Sequence, residues 1–222
     1  MTRTTNARIA GVAYLLYIAV AFPSMVISNR ASAGESLAAK LATITQHAGD
    51  LRVAAVLSLL GSFCALILAV TLYAITRDQD RDLAMLGLTC RVAEGVTGAA
   101  SLSLTLALLT TITASGANAP DAGAAQTIAA LIGNEPALIA ATLFAVGSTI
   151  FSWLLFRGRM IPTSLAGLGV IGSALLVVVL PLQIAGVVGG VLAQLIWIPV
   201  AIFELVVAVW FIVKGVRTPE VA

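Results

Sequence analysis

Arg91, Glu94 and Glu204 are ionisable residues set inside apolar runs long enough to cross a bilayer. Hydrocarbon solvates charge poorly, and each such residue costs roughly 2.5–3.5 kcal/mol on an insertion scale. Residues of this kind face a bundle interior, pair with one another or line a pathway. Arg91 and Glu94 are three residues apart and so share one face of a helix. One arginine and two glutamates are net negative if all ionise, and a dry site favours a neutral layer. One glutamate is therefore expected to hold a proton. Glu204 is the expected holder, because Glu94 has Arg91 on its own helix.

Depth brings these residues together. At 1.5 Å per residue, Arg91 and Glu94 lie about 12 and 16 Å inside a span that leaves the surface near Leu83. Glu204 lies about 15 Å back from Lys214, and Tyr17 about 13 Å in from Arg8. Facing agrees with depth. Gly87, Arg91, Glu94, Gly98, Ser101 and Thr105 follow a spacing of four and three, and every member is small or polar. Ala10, Tyr14, Tyr17, Ala21 and Ser24 repeat the rule, as do Ala141, Ala145, Ser148 and Ser152. Small-residue seams let helices approach closely in lipid. The expected site is thus a layer of Arg91 between Glu94 and Glu204, with Tyr14 and Tyr17 beside it. It reads either as a site for a proton or small ligand, or as an interhelical clamp that fixes packing.

Other signals carry less chemistry. The run Gly167-Leu168-Gly169-Val170-Ile171-Gly172 spells GxGxxG, but it lies inside a span with no strand before it, so it reads as a packing surface. Cys64 and Cys90 lie in apolar runs and form no CxxC pair. The single histidine, His47, excludes an intramolecular bis-His haem and reads as a solvated loop residue. Asp78, Asp80 and Asp82 alternate with Gln79 and Arg81 as a solvated turn does. Pro199, five residues before Glu204, reads as a tolerated membrane proline or as a kink that frees a carbonyl near the layer. Trp197 and Trp210 read as interface anchors. No nucleophile elbow, H-E-x-x-H or metal-ligand spacing is present, so no cofactor or metal is expected and the balance leans away from an enzyme.

Composition dictates the elements that carry the layer. Of 222 residues, 60% are hydrophobic and 10% charged, with mean hydropathy +1.06. A soluble domain carries about 25% charge, so lipid is the solvent for most of this chain. A net charge of +2 without a Lys/Arg stripe gives no footprint for nucleic acid. Six segments reach the length of a span: about 8–28, 51–75, 83–113, 136–156, 162–182 and 191–213. The third is longer than a span needs, and Pro162 suits a first helical position. The apolar stretch from Leu180 to Gly190 reads as a tight turn at the membrane surface. Segments 33–49 and 122–133 carry apolar residues at helical spacing and are expected as short amphipathic helices, packed over the bundle or acting as a lid.

The first run follows Arg3 and Arg8 and precedes Ala31-Ser32-Ala33, the form of a signal cleavage site. Its length, from Ile9 to Ile27, exceeds an h-region of about 7–15 residues and favours an uncleaved span. Arg3, Arg8, Arg77, Arg81, Arg157, Arg159, Lys214 and Arg217 fall on the side of the termini, against Arg30, Lys40 and Arg52 opposite. The positive-inside rule then sets both termini in the cytoplasm. The fold expected is a single all-α polytopic bundle over 1–222 with six spans, N-in and C-in.

The chain also resembles a known family. The residues that carry the likeness are Ala7-Arg8-Ile9-Ala10-Gly11-Val12-Ala13-Tyr14-Leu15-Leu16-Tyr17, then Arg91-Val92-Ala93-Glu94. A third stretch runs from Glu204-Leu205-Val206-Val207-Ala208-Val209-Trp210 through Lys214-Gly215-Val216-Arg217. These look like the domain-of-unknown-function family 4386, small bacterial multi-spanning membrane proteins. The resemblance implies a fold and a bacterial inner-membrane location, and it brings no activity. Its recurring Arg-x-x-Glu and late Glu fall on Arg91, Glu94 and Glu204. Two functional classes follow: a membrane protein binding or moving a small solute or proton through the layer, and a structural or accessory subunit of a larger complex. The partners expected are the lipid bilayer and either a second copy or a membrane complex.

Overall fold

The structure, a computed structural model, describes residues 1–114, 123 and 135–218. The elements are helices: α1 (Arg3–Ala31), α2 (Leu37–Gln46), α3 (Ala48–Thr76), α4 (Arg81–Ile112), α5 (Glu135–Arg157), α6 (Thr163–Ile184), α7 (Gly190–Leu195) and α8 (Ile198–Val213). Side chains set several starts. Thr2 accepts from the Thr5 amide at 3.1 Å, Ser36 from Ala39 at 3.1 Å and Asp80 from Leu83 at 3.0 Å. Each satisfies a donor that the first helical turn leaves free.

Six helical segments are long and apolar enough to cross a membrane: α1, α3, α4, α5, α6 and the α7–α8 segment Gly190–Val213. The chain is a multi-pass membrane protein of all-α class. The spans form a ring. Each packs on its chain neighbour, and the last closes against the first through α1–α8 contacts, with α6 on the other flank of α8. Outward positions such as Val56, Val70, Ile171, Val178 and Val213 are exposed and apolar, as a lipid-facing surface requires.

The two ends of the described chain share one face. Arg3 pairs with Asp78, Arg157 with Asp80 at 3.7 Å, and the Arg217 amide donates to the Met160 carbonyl at 2.9 Å. On this terminal side the bundle is filled by large side chains, among them Leu68, Leu72, Phe151, Phe203, Val207 and Phe211. At the opposite end α2 forms, as its spacing predicts, and Ile44 packs over Ala31, Leu51 and Leu109.

Two local expectations are corrected. Pro162 stands as the N-cap of α6, one residue before the helix, where its fixed φ and missing donor cost nothing. The last span is broken rather than only kinked. Ile196 and Trp197 form a turn between α7 and α8, and Pro199 sits in the first turn of α8, a position where an amide donor is not needed. The short helix expected over 122–133 lies, apart from Gly123, outside the described residues.

Candidate functional site

The expected layer assembles at mid-depth. Arg91 is fully buried, and Glu94 and Glu204 are each 6% exposed. α4 presents Arg91 and Glu94 from one face, and Arg91 Nη1 lies 2.9 Å from Glu94 Oε2. The N–H does not point along that line, and neither atom has an aligned hydrogen-bond partner, so the contact is a charge pair. The guanidinium carbon sits 4.8 Å over the centre of the Phe144 ring, a cation–π arrangement. Tyr17 donates a long hydrogen bond of 3.4 Å to Glu94 Oε1. Tyr14 is buried on α1 and interacts electrostatically with Glu204, Arg91 and Glu94.

Glu204 stands apart from this pair. Among the described residues Arg91 makes its ion pair with Glu94 and none with Glu204, so the arrangement differs from an arginine set between two carboxylates. The helix geometry gives the reason: a partner three residues away on the same helix is in reach whatever the neighbouring spans do. Among the described residues Glu204 Oε1 is buried without a hydrogen-bond partner.

Two residues that hold Arg91 escape the sequence reading. Phe144 supplies the ring under the guanidinium and also stacks on Trp197, with centroids 5.9 Å apart. Trp197 therefore packs inward from the turn between α7 and α8. Gly147 makes room for the arginine stem: a Cβ there would lie 2.8 Å from Arg91 Cγ and 3.0 Å from Cδ. The seam of Ala141, Ala145, Ser148 and Ser152 marks the correct side of α5, yet Phe144 and Gly147 lie just beside it, and no pattern in so apolar a segment singles them out. The GxGxxG run does pack. A Cβ at Gly169 would meet the Phe203 ring at 2.7 Å, and one at Gly172 the Val200 amide at 3.1 Å.

A cavity of about 680 Å³ opens on the side of the layer away from the termini. Glu94, Glu204 and Tyr17 line one end, and its walls come from α1, α3, α4, α5 and α8. Small side chains leave this space: Ser58, Gly61 and Ser62 on α3, Gly95 and Gly98 on α4, and Ala137, Ala140 and Ala141 on α5. The other sequence candidates lie outside it. His47 contacts Asp50 Oδ2 at 3.1 Å on the exposed α2–α3 junction, and Asp78 and Asp80 serve ion pairs and a helix cap. Among the described residues no three His, Cys, Asp or Glu side chains gather as a metal site would need.

The chain matches the family described as Domain of unknown function (DUF4386) over residues 9–215. It belongs to the DUF4386 family. The match spans α1 through α8, so the layer and the cavity both lie within what defines a DUF4386 protein. No curated protein and no solved structure matches the chain.

Proposed function

We propose that this DUF4386 protein works as a single six-span unit of the bacterial inner membrane, with both termini cytoplasmic, and binds a small solute or proton at Glu94 and Glu204. The observation that carries this reading is the cavity. Two buried carboxylates line the end of a space of about 680 Å³, within the roughly 300–1,000 Å³ typical of small-molecule sites. A layer serving packing alone would be closed on both sides. The orientation rests on the excess of Arg and Lys on the terminal side.

The second reading, a structural or accessory subunit, draws on Arg91. Its stem lies against Gly147 and its head between Glu94 and Phe144, which ties α4 to α5. The two readings divide the layer: Arg91 locks helices, and Glu204, without a protein partner at Oε1 among the described residues, is left for a ligand.

Cysteine accessibility separates them. Cys64 and Cys90 are first replaced by alanine. Ala141→Cys in the cavity wall and Leu72→Cys in the filled half are then treated with a membrane-impermeant maleimide from the side opposite the termini. Labelling at 141 with protection at 72 is expected. Protection at both positions would mean a sealed layer and would leave the structural reading.

A further inference from the structure

The cavity wall has a chemical bias beyond its size. A hydroxyl carries one donor and two acceptor sites. Ser24 donates to the Ala54 carbonyl at 2.9 Å. The Ser24–Ser58 contact of 2.7 Å must then use the Ser58 proton. Ser62 donates to the Ser58 carbonyl at 3.2 Å and Ser101 to the Thr97 carbonyl at 2.9 Å. Tyr17 directs its proton to Glu94. These five of the six lining hydroxyls have thus committed their protons and retain acceptor lone pairs; Ser28 and Trp197, which also line the cavity, bring a hydroxyl and an indole N–H. Among the described residues the wall contains two glutamates and no Lys, Arg or His, because Arg91 is packed behind it, over the Phe144 ring. An anion would meet two acidic side chains there and no cation, whereas a bound cation can take the place of the proton expected on Glu204. A neutral apolar molecule would leave Glu204 Oε1 buried and unpaired, which is costly. Much of the remaining wall is apolar, from Ile18, Phe22, Met25, Leu102, Phe144 and Val200.

We propose that the cavity takes an organic ammonium ion, its N–H groups directed to Glu204 and Glu94 and its apolar body lying along the Phe22, Leu102 and Phe144 wall. This rests on the reading of the cavity as a binding site. A charge-assisted N–H···O⁻ bond is about twice as strong as a neutral one, and a primary ammonium brings three donors to a wall richer in acceptors than in donors. The ammonium can be a free amine or the headgroup of an amine lipid.

The test compares 4-phenylbutylamine with its neutral isostere 4-phenylbutanol by calorimetry on the full chain in discs of phosphatidylcholine alone. The amine is expected to bind at least tenfold more tightly, about 1.4 kcal/mol. Glu204→Gln is expected to bring it to the level of the alcohol. Weaker amine binding in discs with added phosphatidylethanolamine would place the natural ammonium in the bilayer, and unchanged binding would make it a free solute. Equal affinities for amine and alcohol, or no amine binding, overturn the ammonium assignment; if Ala141→Cys is still labelled, the cavity reading survives. Protection of Ala141→Cys removes both. The amine–alcohol comparison uses the unaltered chain, so misfolding of a variant cannot mask the answer. Amine affinity unchanged in Ala141→Phe would also overturn the assignment, since that ring would occupy the cavity.

Discussion

Gly147→Ala tests the confinement of Arg91 directly. The new Cβ would lie 2.8 Å from Arg91 Cγ, 3.0 Å from Cδ and 3.3 Å from Cys90 Cβ. Ordinary contact begins near 3.4 Å, so the arginine stem must retreat by 3.4 − 2.8, about 0.6 Å. A surface arginine could swing away. This one is held at its root by α4 and at its head by Glu94 and Phe144, and it is fully buried. Overpacking of a confined site costs about 1–3 kcal/mol, and the helix-propensity gain from Gly to Ala recovers at most about 1 kcal/mol. Gly167→Ala is the internal control, because its nearest neighbour would be Phe156 at 4.0 Å. The assay is unfolding by SDS titration in mixed micelles, followed by circular dichroism. Gly147→Ala is expected to be about 2 kcal/mol less stable than Gly167→Ala. Equal stability of the two would refute the idea that Arg91 is pinned from both ends.

The same titration checks the rest of the layer. Arg91→Ala strands the Glu94 carboxylate and is expected to cost about 3–5 kcal/mol; adding Glu94→Gln should return much of that loss, and strictly additive losses would argue against the pair. Glu204→Gln makes no such change, because Glu204 has no ion-pair partner among the described residues; it should be spared the loss of about 3–5 kcal/mol that follows from breaking a buried pair, and a drop of that size would reveal a partner within the fold. Ser24→Ala removes the hydroxyl bond from α1 to the Ala54 carbonyl of α3, for which about 0.6 kcal/mol, and no more than about 1.7, is expected.

Much of this arrangement is legible in the sequence because bilayer physics limits the choices. Span positions follow from apolar run length, and the starts at Arg3, Ala48 and Arg81 fall within a few residues of the expected ones. The juxtaposition of Arg91, Glu94, Glu204 and the tyrosines follows from depth and from the three–four spacing. The Arg91–Glu94 partnership was readable for the same reason, while the offset of Glu204 depends on how α8 is turned in the ring. Phe144 and Gly147 were hidden because an aromatic and a glycine in a span are unremarkable until a neighbour's side chain is known. The cavity was also hidden. Its origin is a contrast between the two ends of the same helix faces, Leu68 and Leu72 against Ser58 and Ser62 on α3, and Phe151 against Ala141 on α5. Periodicity along one helix does not reveal that contrast; the helices must be compared at equal depth.

Closure of the ring by α8 against α1 has a consequence for biogenesis. A ribosome delivers α4 to the translocon long before residue 204 is made, so Arg91 and Glu94 enter lipid with no help from the last span. Two separate charges would each cost roughly 2.5–3.5 kcal/mol at that moment. A zwitterion formed within one helical turn travels with its own counterion and depends on no later partner. Glu204 arrives last, on the segment that seals the bundle, and is inserted beside a surface that its five predecessors have already shaped.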